Sequence, residues 1–192
     1  MNQEKNGVYK VIKIICIILL KIIYRPSVIG KENIPEEGPV IFAGNHKHAA
    51  DPVMVITSTK RVVHFMAKEE LFKGIHGKIF KKMGLIKVYR GKGNPLAVIE
   101  AEKILENNGT VGIFPEGTRN RTEKELLRFK YGTVMIANKT NSQIVPFAIR
   151  GRYRVFRKGL EIEFGKPIQV QGMEKEDANK YLENEVLNLL RK

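Results

Sequence analysis

Pro39-Val40-Ile41-Phe42-Ala43-Gly44-Asn45-His46-Lys47-His48-Ala49-Ala50-Asp51-Pro52 is the stretch on which the fold turns. Its first part, Pro39 to Ala43, is a short unbroken apolar run, the pattern of a buried strand. Its last part, Asp51-Pro52, opens a helix: Asp is a good N-cap and Pro suits the first helical position. A polar turn carrying Asn45, His46 and His48 lies between them. Strand, turn and helix in that order form the repeating unit of an α/β sheet, where functional residues gather on loops at strand ends.

Downstream the alternation continues. Arg61 to Met66 and Leu85 to Tyr89 read as strands, separated by a helix over Lys68 to Met83 that breaks near Gly74 or Gly77. A helix starts at Asn94-Pro95, runs to Asn107 and stops near Gly109. Thr110 to Phe114 is a strand ending in a Pro-Glu-Gly-Thr turn, and Tyr131 to Lys139 is helical. Ile144 to Ile149 and Leu160 to Phe164 are strands, and Glu174 to Leu190 is a helix with Leu182, Val186 and Leu189 on one side. The expected fold is α/β: a single domain over residues 26–192 with a mixed, mainly parallel sheet flanked by helices. Upstream, Pro26 to Gly38 holds Pro26, Gly30, Pro35 and Gly38 and reads as a connector.

Residues 1–25 are expected to form an N-terminal membrane-associated amphipathic helix. Val8 to Tyr24 is the most apolar stretch of the chain, yet it is short for a span and interrupted by Lys10, Lys13 and Lys21. At about 100° per residue these lysines share a narrow stripe, with Arg25 close to it and Ile14 and Ile17 intruding. A broad apolar face with a basic edge suits the headgroup layer of a bilayer. A short anchor and a core helix are the alternatives. No small-residue cleavage site follows, since Arg25-Pro26 comes next.

The 192 residues carry 34 Lys and Arg against 20 acidic residues, a formal charge of +14. Such a surface favours polyanions: nucleic acid, anionic lipid or an acidic carrier protein. Aromatic residues make up only 8% and no nucleic-acid-binding motif is present, so nucleic acid is not the expected partner. A single cysteine, Cys16, excludes an intrachain disulfide and a cysteine metal cluster.

Four blocks carry chemistry, each at an expected strand end or turn. The first is Asn45 to Asp51. On one ideal helix a spacing of five would set His46 and Asp51 about 140° apart, but a turn lets a carboxylate accept from one ring nitrogen and leaves the other as a base. A helix cap at Asp51 and a loop-bound His46 are the plainer reading. The second is Gly84 to Arg90, where a strand delivers an arginine fork suited to phosphate oxygens. The third is Phe114-Pro115-Glu116-Gly117-Thr118-Arg119, a turn whose donors can hold an anionic oxygen. The fourth, Val145 to Ile149, has no titratable group and suits an apolar lining. There is no Gly-x-Ser-x-Gly elbow and no P-loop, so a base acting directly on a substrate hydroxyl is expected.

In this order the blocks resemble the glycerolipid acyltransferases, most closely the 1-acylglycerol-3-phosphate (lysophosphatidic acid) acyltransferases. Asn45, His46 and Asp51 match the family's His-x₄-Asp signature. Gly84, Ile86 and Arg90 match the second block, Phe114 to Arg119 match the third in full, and Val145-Pro146 match the fourth. Phe129-Lys130-Tyr131-Gly132 resembles a further Phe-Lys-x-Gly element. His48 and Asn120 depart from the pattern, since serine is common at both positions.

The resemblance implies an enzyme of phospholipid biosynthesis that moves a fatty acyl chain from a thioester to the 2-hydroxyl of lysophosphatidic acid, giving phosphatidic acid. His46 would be general base, oriented by Asp51. Glu116, Gly117, Thr118 and Arg119 would form the acceptor site with Arg90, and the two arginines would hold the phosphate. The implied partners are a lysophospholipid acceptor, an acyl-CoA or acyl carrier protein donor, and an anionic membrane surface at the cytoplasmic face. No metal and no cofactor is implied. One rival keeps the chemistry with another acceptor, glycerol 3-phosphate or a different lysolipid. A remote rival is a metal-dependent hydrolase using His46, His48 and Asp51, because a His-x-His pair can bind zinc.

Overall fold

Side chains along strand β2, Val40–Gly44, alternate between two cores: Val40 and Phe42 enter one, Ile41 and Ala43 the other. Both faces of the strand are therefore covered, which explains an apolar run with no polar alternation. The structure, a computed structural model, describes residues 7–89 and 94–192 (His76 by its backbone alone).

Among the described residues there are seven strands: β1 (Ser27–Ile29), β2, β3 (Val63–Lys68), β4 (Ile86–Val88), β5 (Thr110–Ile113), β6 (Gln143–Arg150) and β7 (Glu161–Phe164). They form one sheet in the order β1-β7-β6-β2-β5-β3-β4. Every pairing is parallel except β6 with β7, where Phe147 faces Phe164. The expected mixed, mainly parallel α/β sheet is thus present. Helices α1 (Gly7–Ile23), α2 (Asp51–Ser58) and α3 (Gly74–Lys82) precede β5 along the chain with α4 (Pro95–Glu106), and α5 (Gly132–Thr140) and α6 (Lys175–Leu190) follow it. Core residues of α1 and α2 pack on one face of the sheet with Met83, just past α3, while α4, α5 and α6 pack on the other.

Two readings change in detail. The connector after α1 contains β1, which pairs with β7, so pairing across the sheet edge overrides its Pro and Gly content. The helix expected over Lys68 to Met83 is a 3₁₀ turn, Glu69–Phe72, followed by α3, and the break falls at Lys73 and Gly74. Gly74 has φ +65°, a left-handed conformation that favours glycine.

Helix α1 is fastened to the domain along one side. The buried Tyr9 hydroxyl accepts from the Val63 N–H at 3.0 Å, and burial pushes this phenol up to about 12. Lys13 leaves the basic stripe expected of it: Nζ donates to the Thr59 carbonyl at 2.6 Å and to the Arg61 carbonyl at 3.2 Å. It thereby covers the carboxyl end of α2, a favourable place for a cation. The opposite side of α1 is apolar and exposed, with Val11, Ile14, Ile15, Ile18 and Ile22 each at least half accessible. No helix among the described residues is long and apolar enough to cross a membrane.

Candidate active site

β2 has β5 on one side and β6 on the other. The chain leaving β5 must therefore pass the carboxyl end of β2 before it can return as β6. This crossing brings the first, third and fourth sequence blocks together at one strand end, the usual location of a site in an open α/β sheet.

Gly44 closes β2 where Phe147 lies against it; a Cβ there would stand 2.2 Å from the Phe147 carbonyl oxygen. Asn45 then continues the ladder with its side chain. Its Oδ1 accepts from the Ile149 N–H at 2.7 Å and its Nδ2 donates to the Ile149 carbonyl at 3.0 Å. An amide can satisfy a backbone donor and acceptor at once, which accounts for Asn before the histidine.

His46 is held at four points. Its N–H donates to Glu116 Oε1 at 2.6 Å, and its carbonyl accepts from the Asn120 N–H at 2.6 Å. Its ring stacks on Phe114, with centroids 4.0 Å apart and planes 16° from parallel. Nδ1 lies 2.9 Å from Asp51 Oδ2. A carboxylate only accepts, so the proton of a neutral ring sits on Nδ1 and the Nε2 lone pair is left available.

Asp51 is fully buried and accepts four hydrogen bonds. Oδ2 takes the N–H groups of Lys47 and His48, each at 2.7 Å, as well as the imidazole. Oδ1 takes the Tyr153 hydroxyl at 2.6 Å. Its side chain does not cap α2; Asp51 is the first residue of that helix, ahead of Pro52, and its carboxylate turns back to order the loop. Tyr153 was not legible as a site residue. It lies about a hundred positions downstream in the β6–β7 loop, and no motif marked it. Its ring stacks on His48 with centroids 4.1 Å apart and meets Tyr24 edge-on at 5.3 Å. Burial and the Asp51 carboxylate both push the Tyr153 phenol far up, so it remains a donor.

The third block divides in two. Glu116 is buried, and both its oxygens are used, Oε1 on His46 and Oε2 on the Leu127 N–H at 2.9 Å. Burial pushes its carboxyl up, partly offset by those two N–H groups. It therefore supports the His46 turn from behind and does not line an open surface. Gly117 and Thr118 are exposed and Arg119 is half-buried. Gly117 has φ +69°, and a Cβ on it would stand 2.6 Å from Lys130 Nζ, so Lys130 of the Phe-Lys-x-Gly element lies directly over this turn. Arg90 lies outside the described residues. His48 belongs to the turn: its Nδ1 accepts from the Ala50 N–H at 3.2 Å. Among the described residues no three His, Cys, Asp or Glu side chains group as metal ligands.

The family model described as Acyltransferase matches residues 25–150. A 1-acyl-sn-glycerol-3-phosphate acyltransferase of Borreliella burgdorferi is 32% identical over 165 residues, 84% of this chain and 66% of that protein. The Bacillus subtilis protein of the same name is 31% identical over 148 residues, 74% of this chain and 73% of that one. The crystal structure of the 1-acyl-sn-glycerophosphate (LPA) acyltransferase PlsC from Thermotoga maritima superposes with a TM-score of 0.74 at 27% identity, covering 94% of this chain and 78% of that one.

Proposed function

The chain belongs to the acyltransferase family, and from that premise we propose that it transfers a fatty acyl chain from an acyl thioester to the 2-hydroxyl of 1-acylglycerol 3-phosphate, giving phosphatidate. The observation that carries the mechanism is the His46–Asp51 pair at 2.9 Å, with the carboxylate fully buried and four times hydrogen-bonded. His46 Nε2 takes the hydroxyl proton as the acceptor oxygen attacks the thioester carbonyl. The tetrahedral adduct collapses, the carbon–sulfur bond breaks, and the imidazolium gives its proton to the leaving thiolate, releasing a thiol. Asp51 stabilises the cationic ring through Nδ1, as a buried carboxylate beside a base does. No acyl-enzyme is formed.

Arg119, together with Arg90, binds the acceptor phosphate, for which a guanidinium fork is well shaped. Gly117 and Thr118 shape the acceptor site beside Arg119, and Glu116 serves it by fixing the His46 turn. The acyl donor is acyl-CoA or acyl carrier protein. The acceptor is a lipid, so the enzyme works at an anionic membrane surface on the cytoplasmic side. The outward apolar face of α1, flanked by the exposed Lys10 and Lys21, is the element that docks there.

The test is acyl transfer to lysophosphatidate in lipid vesicles, wild type beside His46→Ala. Wild type yields phosphatidate and the variant loses about 10³-fold, within the range of a general base. Thiol release with glycerol 3-phosphate or another lysolipid, but none with lysophosphatidate, would replace the acceptor and keep the mechanism. Undiminished activity of the variant would remove His46 as the base.

A further inference from the structure

The loop between β6 and β7, Gly151-Arg152-Tyr153-Arg154-Val155-Phe156-Arg157-Lys158-Gly159, carries four cations and no acid. Two large apolar side chains stand among them on the outside, Val155 at 57% and Phe156 at 64% exposure. Phe156 also has φ +57°. A bulky residue in the left-handed region is strained, and such strain clusters at functional sites. Burial of the ring within the protein does not offset that strain here, because the ring lies outside.

The loop is nonetheless firmly placed. Its neck is closed: a Cβ on Gly151 would stand 1.7 Å from the Gly159 carbonyl oxygen. The Phe156 N–H donates to the Ile23 carbonyl at 2.6 Å, and Tyr153 packs edge-on against Tyr24. Phe156 is thus presented outward beside the last turn of α1, the turn that also carries the exposed Ile22.

We propose that this loop is a second membrane contact, with Phe156 entering the apolar edge of an anionic bilayer and Arg152, Arg154, Arg157 and Lys158 lying among its phosphate headgroups. The inference rests on the reading that this enzyme works at a membrane surface. Charge complementarity and continuity with the apolar face of α1 select a lipid surface as the occupant. An acidic protein would suit the cations but would leave no role for a protruding phenylalanine.

The chain has no tryptophan, so Phe156→Trp supplies a unique fluorescent reporter. With phosphatidylcholine vesicles containing phosphatidylglycerol, its emission shifts to the blue and is quenched by lipids brominated on their acyl chains. Phe156→Asn, which tolerates positive φ, is expected to keep or raise the thermal midpoint while partitioning to these vesicles about fivefold more weakly. Arg154→Gln and Arg157→Gln each weaken partitioning about fivefold at low salt. If the protein co-sediments but the indole emits as in water and Phe156→Asn binds like wild type, the loop proposal falls and docking through α1 stands. If co-sedimentation survives Ile15→Glu with Ile18→Glu but is lost in Phe156→Asn, the loop stands and the role given to α1 falls. If wild type does not co-sediment at all, both fall.

Discussion

The two ends of the sheet make a useful pair. At the amino end, a groove of about 1070 Å³ is lined by Arg61, His64, Glu100, Lys103 and Thr110 among others. At the carboxyl end stands the His46–Asp51 pair. Each end has one charged side chain that ties several segments together. Arg61 donates to Thr110 Oγ1 and to the carbonyls of Pro35, Gly38 and Asn108. Asp51 accepts from Lys47, His48, Tyr153 and His46. The difference lies in what remains. The Arg61 fork is engaged with backbone and a threonine, whereas Asp51 holds a histidine whose second nitrogen remains available. On the mechanism proposed above the chemistry belongs to the carboxyl end, where a side chain with an unspent lone pair stands beside a buried partner.

Substitutions at the two ends should therefore fail in different ways. The largest effect is expected from Asp51→Asn, which keeps the size but removes the charge and one acceptor. Turnover should drop about 10²–10⁴-fold, and unmet loop N–H groups should also cost about 1–3 kcal/mol in denaturant unfolding. A variant active within a few-fold of wild type would dissolve the contrast. At the amino end, Arg61→Met should lose about 2 kcal/mol of stability, read as a lower thermal midpoint, with turnover at temperatures below the transition changed by less than about twofold. A large loss of turnover in a folded Arg61→Met protein would mean that the groove serves the reaction.

Tyr153→Phe sharpens the carboxyl side. The rings on Tyr24 and His48 are kept while the O–H donor to Asp51 is removed. We expect about a tenfold loss in kcat, the worth of one hydrogen bond to a charged group, with KM little changed. A rise in KM alone would move Tyr153 from positioning Asp51 to contacting the lipid.

The smallest effect concerns Lys13, which covers the α2 end near Arg61. Burial holds its amine down at about 8, against 10.5 when exposed. Between those values the folded state binds fewer protons than the unfolded chain, so stability rises with pH. Wild type should gain stability relative to Lys13→Met as pH climbs from about 8 to 10.5, with a flat difference below that window. Denaturant titrations on both sides of the window measure it, and a difference that falls with pH would reverse the assignment.

Much of the fold was legible because its signals are local. Strand β2 and the interior of β6, Ile144 to Ile149, are unbroken apolar runs, β5 precedes a Pro-Glu-Gly-Thr turn, and α4 is announced by Asn94-Pro95. The His46–Asp51 pairing was legible only through the resemblance carried by the ordered blocks, since a spacing of five by itself suited a helix cap at Asp51 and a loop-bound His46 at least as well. The inward role of Glu116 was not, since a carboxylate in a turn gives no sign of which way it faces. Lys13 misled for a similar reason: helical periodicity places it near Lys10 and Lys21, but the carbonyls that draw it inward belong to residues 59 and 61.

By itself the sequence determined the alternation of strands and helices, the excess of positive charge and the order of the blocks that carry chemistry, because apolar periodicity, turn residues and short spacings are properties of neighbouring positions. Only the tertiary structure decided that β5 and β6 flank β2, that Asn120 and Glu116 grip the backbone of His46, and that Tyr153 reaches Asp51 from 102 residues away. Those contacts follow from strand order, which the pairing of distant segments sets and no local pattern encodes.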